Sequence, residues 1–236
     1  MELSQRLSAV ASLVTRGASV ADVGTDHGYV PIYLAETGRC THMIAMDINQ
    51  GPLNRAEEHI REHGLTHRIE TRLSDGLKSL KKGEADTMIA AGMGGGLVIK
   101  ILEEAPELAA DIREFILQPQ SEIHKVRAYL NQNGFCLAEE KMAEENGKFY
   151  PVMKLRHGRE PEYSELELYY GRKLLYNRDK ALHRFLIRER QRMKGILREL
   201  EKKTNGSVNH RCLEIEKELD RINRGLSYYG DRETGK

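Results

Sequence analysis

The sequence contains no tryptophan, only four phenylalanines and only three cysteines, and none of its apolar runs approaches the ~20 residues that cross a membrane. Three widely spaced cysteines argue against a disulfide framework or a cysteine-rich zinc site, so we expect reduced thiols and no metal. The first residues lack a basic segment followed by an apolar one, so we expect no secretory leader. These absences favour a cytoplasmic protein without a membrane anchor.

The net charge of +1 conceals two parts of opposite sign. Residues 1–155 carry a net charge of −5, residues 156–236 carry +6, and the stretch 172–203 alone carries +8. An acidic body joined to a basic arm favours a polyanionic partner for the arm. The alternative is a solvated helix that is rich in arginine because arginine is a good helix former.

Short apolar runs alternate with helical patterns along the first two thirds of the chain. The runs predict strands at 19–23, 43–46, 69–73, 87–91 and 115–117, and the helical patterns lie at 3–14, 29–36, 52–63 and 121–131, with Ser121 as a predicted cap. Alternation of this kind indicates a mostly parallel sheet. Two further runs, 135–142 and 149–156, flank Asn146-Gly147 and predict an antiparallel hairpin at or near one edge.

The pattern changes after Arg156. Apolar residues then step by three and four, first from Leu182 to Leu200, with Glu189 as a polar interruption, and again from Cys212 to Leu226. Two short heptad helices joined by a turn at 204–207 predict an antiparallel coiled-coil hairpin. We therefore expect two domains, 1–157 and 158–236.

Acidic and glycine residues mark the end of the first predicted strand: Asp22 lies inside the strand end, and Gly24, Asp26 and Gly28 follow it. Ligands of parallel sheets bind beyond the carboxyl ends of the strands. In a dinucleotide fingerprint the middle position would be a glycine, whereas here it is Asp26, whose carboxylate would repel a pyrophosphate. The same carboxylate suits a cationic ligand such as a sulfonium, so the pattern points away from a nicotinamide oxidoreductase.

Similar clusters follow the next three strands. Asp47 stands where an acid accepts hydrogen bonds from the ribose hydroxyls of a nucleotide cofactor. Asp75, between Ser74 and Gly76, could accept a hydrogen bond from an adenine amino group. The glycine-rich segment from Ala91 to Gly95 exposes backbone groups beside the position of a methyl donor. Each cluster also has a structural interpretation, as a turn, a helix cap or a loop.

Taken together, the linked motifs resemble one family in particular. Those motifs are ADVGTDHGY from Ala21, MDI from Met46, SDGL from Ser74, AGMGG from Ala91 and LQPQ from Leu117. They are similar to the bacterial tRNA (adenine-22 N1)-methyltransferases, the TrmK family of class I enzymes. The resemblance covers nearly the whole chain. It implies a Rossmann-like sheet with a coiled-coil arm, the cofactor S-adenosyl-L-methionine, and tRNA as the partner.

The sequence lacks the Asn/Asp-Pro-Pro-Tyr/Phe tetrapeptide of many N6-adenine methyltransferases and has Ala91-Gly92-Met93-Gly94 in its place. That difference agrees with methylation of a ring nitrogen. Other class I substrates stay open, namely another RNA, a protein or a small molecule. A non-catalytic RNA-binding module also remains an alternative, although the acids at 22, 47 and 75 argue against it.

The predicted site has three parts, and we expect it to act in a monomer. The catalytic candidates are Asp26, His27, Gln118 and Pro119. The cofactor-binding candidates are Asp22, Gly24, Asp26, His27, Gly28, Asp47, Ser74, Asp75, Gly76, Ala91, Gly92 and Met93. The substrate-binding candidates are Tyr29 for the base and, for phosphates, Arg6, Arg16, Arg178, Arg184, Arg188, Arg192, Lys194 and Lys202.

Overall fold

The computed structural model describes residues 1–202 and 206–230, with the backbone alone described at 206–209. The chain divides into two compact units, Met1–Glu162 and Tyr163–Lys236. No helix among the described residues has the length and apolar character needed to cross a membrane.

The first unit contains seven strands and six helices. The strands are β1 Ser19–Val23, β2 His42–Asp47, β3 Ile69–Leu73, β4 Thr87–Met93, β5 Glu114–Pro119, β6 Phe135–Glu145 and β7 Lys148–His157. The helices are α1 Gln5–Leu13, α2 Tyr29–Glu36, α3 Gln50–Glu62, α4 Gly95–Glu104, α5 Pro106–Asp111 and α6 Ile123–Gln132. Each strand predicted from the apolar runs is present.

All seven strands form one sheet in the order β3-β2-β1-β4-β5-β7-β6. The pairs among β1 to β5 are parallel, and β7 lies antiparallel between β5 and β6. Asn146 and Gly147 both have positive φ, 51° and 70°, as a two-residue hairpin turn requires. The predicted Rossmann-like sheet with its closing hairpin is therefore confirmed.

Helices cover both faces of the sheet, so its central strands are buried on both sides. Successive residues of β4 contribute to opposite cores, Met88 to one and Ile89 to the other, and both side chains are fully buried. In β5, Phe115 and Ile116 are divided in the same way. A run without alternation is the pattern expected of a strand that helices enclose.

Two local predictions near the site are corrected by the structure. Ser121 does not cap α6, because the residue before that helix is Glu122, which has φ 51° and no capping side-chain bond. The Ser121 hydroxyl instead accepts from the Gly95 amide at 3.3 Å, at the start of α4. The run predicted at 115–117 extends to Pro119, which places Gln118 and Pro119 inside β5.

The second unit is helical. It contains α7 Glu165–Tyr170, α8 Arg172–Tyr176, α9 Lys180–Glu201, α10 Gly206–Leu226 and a 3-10 helix Ser227–Tyr229. Ser164 and Glu167 form a capping box at α7, and Asp179 caps α9. Helices α9 and α10 pack against each other, as predicted. Thr204 and Asn205 of the predicted turn lie outside the described residues, whereas Gly206 already belongs to α10.

Most of the predicted heptad positions are buried, whereas Ile196, Leu200 and Cys212 are half-buried. Leu182, Leu186 and Met193 are buried on α9, and Ile215, Leu219, Ile222 and Leu226 are buried on α10. The polar interruption, Glu189, is 13% exposed and forms an ion pair with Arg192 at 2.6 Å. Arg192 therefore neutralises the Glu189 carboxylate, which interrupts the row of apolar residues along α9.

Candidate active site

A cleft of about 710 Å³ opens beyond the carboxyl ends of β1 and β4. It lies entirely within the first unit, and the N-terminal segment with the start of α1, the loop after β1 and the end of β4 line it. Its lining includes Asp22, Gly24, Thr25, Asp26, His27, Tyr29, Ala91 and Gly92, joined by Arg6, Gln120 and Glu145. The structure thus brings together the residues predicted after the first and fourth strands.

The turn after β1 depends on left-handed backbone conformations. Gly24, Asp26 and Gly28 have φ of 74°, 51° and 72°, a region that is costly for residues other than glycine. The Gly24 amide donates to the Met46 carbonyl at 2.8 Å, which ties the turn to β2. A Cβ at Gly28 would lie 3.3 Å from Cβ of Ala56, so the turn packs tightly on α3.

Two carboxylates are buried at adjacent strand ends. Burial raises the pKa of Asp22 to about 6, the Asp47 carboxylate adds to the shift, and the Thr25 side chain acts against it. Asp47 accepts from the Asn49 amide at 2.9 Å and from the Asp26 amide at 3.4 Å. The Asp47 carboxylate, at the end of β2, therefore holds the loop after β1 through the Asp26 amide.

Asp26 is exposed at the tip of this turn and faces two basic groups. One Arg55 guanidinium nitrogen lies 3.3 Å from its carboxylate, and Nε2 of His27 lies 3.7 Å away. The His27 ring stacks on Tyr29 with centroids 5.2 Å apart and planes at 9°. His59 stacks on both rings, and its Nδ1 lies 2.9 Å from the His27 carbonyl.

The third strand end lies apart from the residues that line the cleft. The Ser74 hydroxyl donates to the Gly76 carbonyl at 2.9 Å and accepts from the Ser79 amide at 3.1 Å, so it shapes the turn. Asp75 is exposed and forms an ion pair with Lys78. Apolar side chains are exposed at the same edge, with Ile48 60% and Leu73 51% exposed.

The fourth strand end closes on the first. Gly92 has φ 84°, and a Cβ at this position would lie 3.4 Å from the Arg6 guanidinium. A Cβ at Gly24 would lie 3.0 Å from Cε of Met93. A side chain at either glycine would therefore press on a neighbour, Arg6 beside Gly92 and Met93 beside Gly24. Met93 thereby packs against the turn after β1.

Gln118 and Pro119 are buried and do not line the cleft. The Gln118 side-chain carbonyl instead accepts from the Arg6 guanidinium at 3.0 Å, and its amide donates to the Pro119 carbonyl at 3.3 Å. Arg6 and Gln120 reach the cleft in their place. Of the two residues predicted to hold the base edge, Gln118 thus contacts Arg6, which lines the cleft.

The basic residues predicted to bind phosphate are not all near one another. Arg6 lines the cleft, but Arg16 lies at the opposite end of the strands, beside Asp86 and Glu114. On α9 and its end, the candidates Arg184, Arg188, Arg192, Lys194 and Lys202 are exposed, as is Arg178 before that helix. Arg192 and Lys202 form ion pairs with Glu189 and Glu199.

Four residues of this region were not predicted from the sequence. Arg55 and His59 lie on α3 and contact the Asp26 turn. Gln120, just after β5, and Glu145, at the end of β6, line the cleft. A hydrogen bond from Ser4 and one from the Arg6 amide hold the pKa of Glu145 below its usual value. The spacing of Arg55 and His59, one helical turn apart, was the available signal.

Comparisons with known proteins agree with this geometry. A family model described as a methyltransferase domain matches residues 3–153. The tRNA (adenine(22)-N(1))-methyltransferase of Bacillus subtilis (strain 168) is 37% identical over 172 residues, which are 72% of each chain. A Streptococcus pneumoniae structure in complex with S-adenosyl-L-methionine has a TM-score of 0.85 and 30% identity, and covers 95% of this chain and 100% of its own. M. capricolum TrmK in complex with S-adenosyl-homocysteine has a TM-score of 0.82 and 28% identity, with 97% and 99% covered.

Proposed function

This chain belongs to the TrmK family of class I methyltransferases, and we propose that it transfers the methyl group of S-adenosylmethionine to N1 of adenine 22 in tRNA. The observation that carries the proposal is the cleft beyond β1 and β4, where carboxylates, exposed backbone and a stacked aromatic pair meet. We expect the protein to act as a cytoplasmic monomer.

The residues present fit the cofactor. Asp47 is fixed by the Asn49 amide and would accept from the ribose hydroxyls, and the exposed Ile48 and Leu73 offer apolar surface to the adenine ring. The proposed contact of Asp75 with the adenine amino group requires it to leave Lys78. Asp22 faces the cleft with a carboxylate suited to a cationic centre.

S-adenosylmethionine, when bound, supplies an electrophilic methyl group on a positively charged sulfur. Gly24 and Gly92 leave the backbone on either side of the cleft without side chains, so both the cofactor and a base could approach closely. Ala91 and Met93 flank the second of these glycines. Gly28 and Gly76 shape the turns that present Asp26 and Asp75.

The reaction needs a positioned adenine and a place for the charge that develops on its ring. N1 carries an in-plane lone pair, and its methylation leaves the ring cationic. The Asp26 carboxylate is exposed beside the cleft and would stabilise that charge or accept the N6 proton. Tyr29 and His27, stacked with planes at 9°, offer a flat surface against which a flipped adenine could pack.

The basic second unit supplies the contacts with the RNA backbone. Exposed arginines and lysines of α9 would meet phosphates, and phosphate contacts make affinity fall steeply with salt. Arg6 lies in the cleft itself, where it would face the substrate rather than the cofactor turn. Arg16 is separated from Arg6 by the length of the sheet, so its proposed phosphate contact needs a second stretch of RNA.

The direct test is to incubate the purified protein with labelled S-adenosylmethionine and unmodified tRNA, and then to identify the modified nucleoside. We expect 1-methyladenosine, and we expect it to disappear when adenine 22 of the tRNA is replaced by guanine. Of the two roles predicted for Asp26, we propose the catalytic one, so Asp26→Asn should keep most of its cofactor affinity and lose most of its rate. Glu107→Gln, an exposed carboxylate of α5, is the matched control and should keep full activity.

Each contrary outcome identifies a different error. Another methylated nucleoside would keep the fold and the cofactor but overturn the assignment to adenine N1. No incorporation into RNA, with cofactor still bound, would turn the search to proteins and small molecules. Full activity of the Asp26→Asn variant would remove Asp26 from the chemistry.

A further inference from the structure

The second unit holds six of the ten tyrosines, and it uses their rings in different ways. Tyr170 is buried. The Arg172 guanidinium lies 4.1 Å over the Tyr163 ring, and that of Arg221 lies 3.9 Å over the Tyr169 ring. Tyr176, by contrast, is 63% exposed, which makes it the most exposed aromatic residue in the described part of the chain.

Tyr176 is the last residue of α8, and neighbouring groups orient its ring. The Tyr228 ring lies 5.9 Å away between centroids, tilted by 58°. The Glu167 carboxylate beside the Tyr176 hydroxyl raises the pKa of that phenol. An aromatic ring that is oriented by its neighbours and still open to solvent loses little conformational entropy when a ligand stacks on it.

Arg178 follows Tyr176 in a conformation that an arginine rarely adopts. Its φ is 51°, at a position after a helix where glycine or asparagine is usual. The Arg178 amide donates to the Leu175 carbonyl at 3.1 Å, and the Asp179 amide donates to the Leu174 carbonyl at 2.9 Å. The backbone therefore fixes this conformation although it costs roughly 1–2 kcal/mol for a residue with a Cβ. Strain held in this way is a reason to look for a function of the side chain.

The charge around this corner is positive. The Asp179 carboxylate accepts from the amides of Ala181 and Leu182, at 2.8 and 2.9 Å, so it is committed to the first turn of α9. Among the residues that the structure describes, no acidic side chain lies within ion-pair distance of Arg178 or Lys180. One guanidinium and one ammonium group, both exposed, thus follow the exposed Tyr176 closely in the chain.

We infer that this α8–α9 corner, formed by Tyr176, Arg178 and Lys180, binds an unstacked nucleobase of the substrate tRNA together with its flanking phosphates. The inference rests on the proposed function and extends it to a second contact, made outside the catalytic cleft. Base stacking on an aromatic ring and cationic contacts to the adjoining backbone are the two components of single-strand recognition. A paired helix would use the cations but would offer Tyr176 no exposed base face, so the corner fits a loop or a bulge.

The test measures binding of the full-length protein to unmodified tRNA by fluorescence anisotropy at several salt concentrations. Tyr176→Ala should raise Kd by about fivefold or more, the usual effect of removing one stacked base contact. Tyr176→Phe keeps the ring and should stay within about twofold of the wild type. Tyr169→Ala is the matched control, because Arg221 already covers that ring, and it should also change Kd by less than about twofold.

Arg178→Gly separates charge from folding. Glycine suits the left-handed conformation, so this variant should be at least as stable as the wild type while it loses one phosphate contact. The slope of log Kd against log salt should fall by about one. Tyr176→Ala should keep the wild-type kcat at saturating tRNA and show a raised KM for tRNA, because the corner binds tRNA but does not contact the reacting groups.

Several results would overturn the inference. An unchanged Kd for Tyr176→Ala would do so, as would equal losses for Tyr176→Ala and Tyr169→Ala. A change of oligomeric state in Tyr176→Ala at unchanged RNA affinity would reassign the corner to a protein interface. Methylation of tRNA by the wild-type protein is measured in the same preparations, so failure of the proposed function is distinguishable from failure of this inference.

Discussion

Replacement of the buried acid Asp22 by asparagine should stabilise the cofactor-free protein, and the gain should grow with pH. Asp22 is 4% exposed, and burial raises its pKa from 3.8 to about 6. The folded state therefore holds a proton that the unfolded chain releases, and stability falls as pH rises through this window. A pKa of about 6 in place of 3.8 corresponds to about 3 kcal/mol above pH ~7.

The asparagine side chain resembles the neutral acid, so the variant avoids this penalty. From the two pKa values, the penalty is about 1.6 kcal/mol at pH ~5 and about 3 kcal/mol at pH ~8. The stability difference between Asp22→Asn and the wild type should therefore increase by about 1.4 kcal/mol over that range. In a chain of this length it equals a change of about 3–6 °C in the difference between their Tm values.

Thermal and urea unfolding of both proteins without cofactor, at the two pH values, measures this difference. Cofactor titration by calorimetry adds an independent measurement. A cationic ligand beside Asp22 favours its ionised form, so wild-type affinity should rise with pH through about 6. Asp22→Asn should bind more weakly and without that pH dependence. A Tm difference that does not change with pH would refute the reasoning.

Three further changes test the site and the core. Asp47→Ala removes the acceptor of the Asn49 amide at 2.9 Å, and calorimetry should show cofactor binding weaker by about tenfold or more. Gly95→Ala would place a Cβ 2.8 Å from Cγ2 of Val126, and overpacking should lower stability by about 1–3 kcal/mol in urea unfolding. Glu140→Ala leaves Arg127, which it binds at 2.7 and 3.1 Å, in a buried position, and unfolding should show a loss of about 3–5 kcal/mol.

Each of these has a control in a milder change. Asp47→Asn should retain part of the cofactor affinity, and full affinity in that variant would show that the carboxylate charge is not what matters. Gly96→Ala should be tolerated, because an added Cβ would have a Glu122 carboxylate oxygen at 3.5 Å as its nearest neighbour. Glu140→Gln should cost less than Glu140→Ala because it keeps a hydrogen-bond acceptor.

Local patterns in the sequence were sufficient to predict the sheet. The central strands are mostly apolar runs because helices cover both of their faces. The Asn146-Gly147 pair specifies a hairpin because both residues tolerate positive φ. The cleft residues after β1 and β4 were also predictable, since the carboxyl ends of parallel strands lie at one edge. Asp22, Asp26 and Gly92 accordingly line the same cleft.

Partners across the fold were not predictable in the same way. Gln118 ends a strand at the ligand edge, so the sequence suggested contact with the base, but its side chain is buried against Arg6. Arg6 and Arg16 are close in sequence and far apart in space, because ten residues of helix and loop span about 15 Å or more. Arg55 approaches Asp26 only because the Gly28 turn packs closely on α3.

The sequence by itself determined the order of the strands along the chain, the residues at their carboxyl ends and the heptad contacts of α9 and α10. Each of these depends on residues that are near one another in the chain. The tertiary structure alone decided which polar groups face the cleft and which form hydrogen bonds or ion pairs within the protein. It also decided that Tyr176 stays exposed while Tyr163 and Tyr169 lie against arginines. Those outcomes depend on packing between distant segments, which no local spacing records.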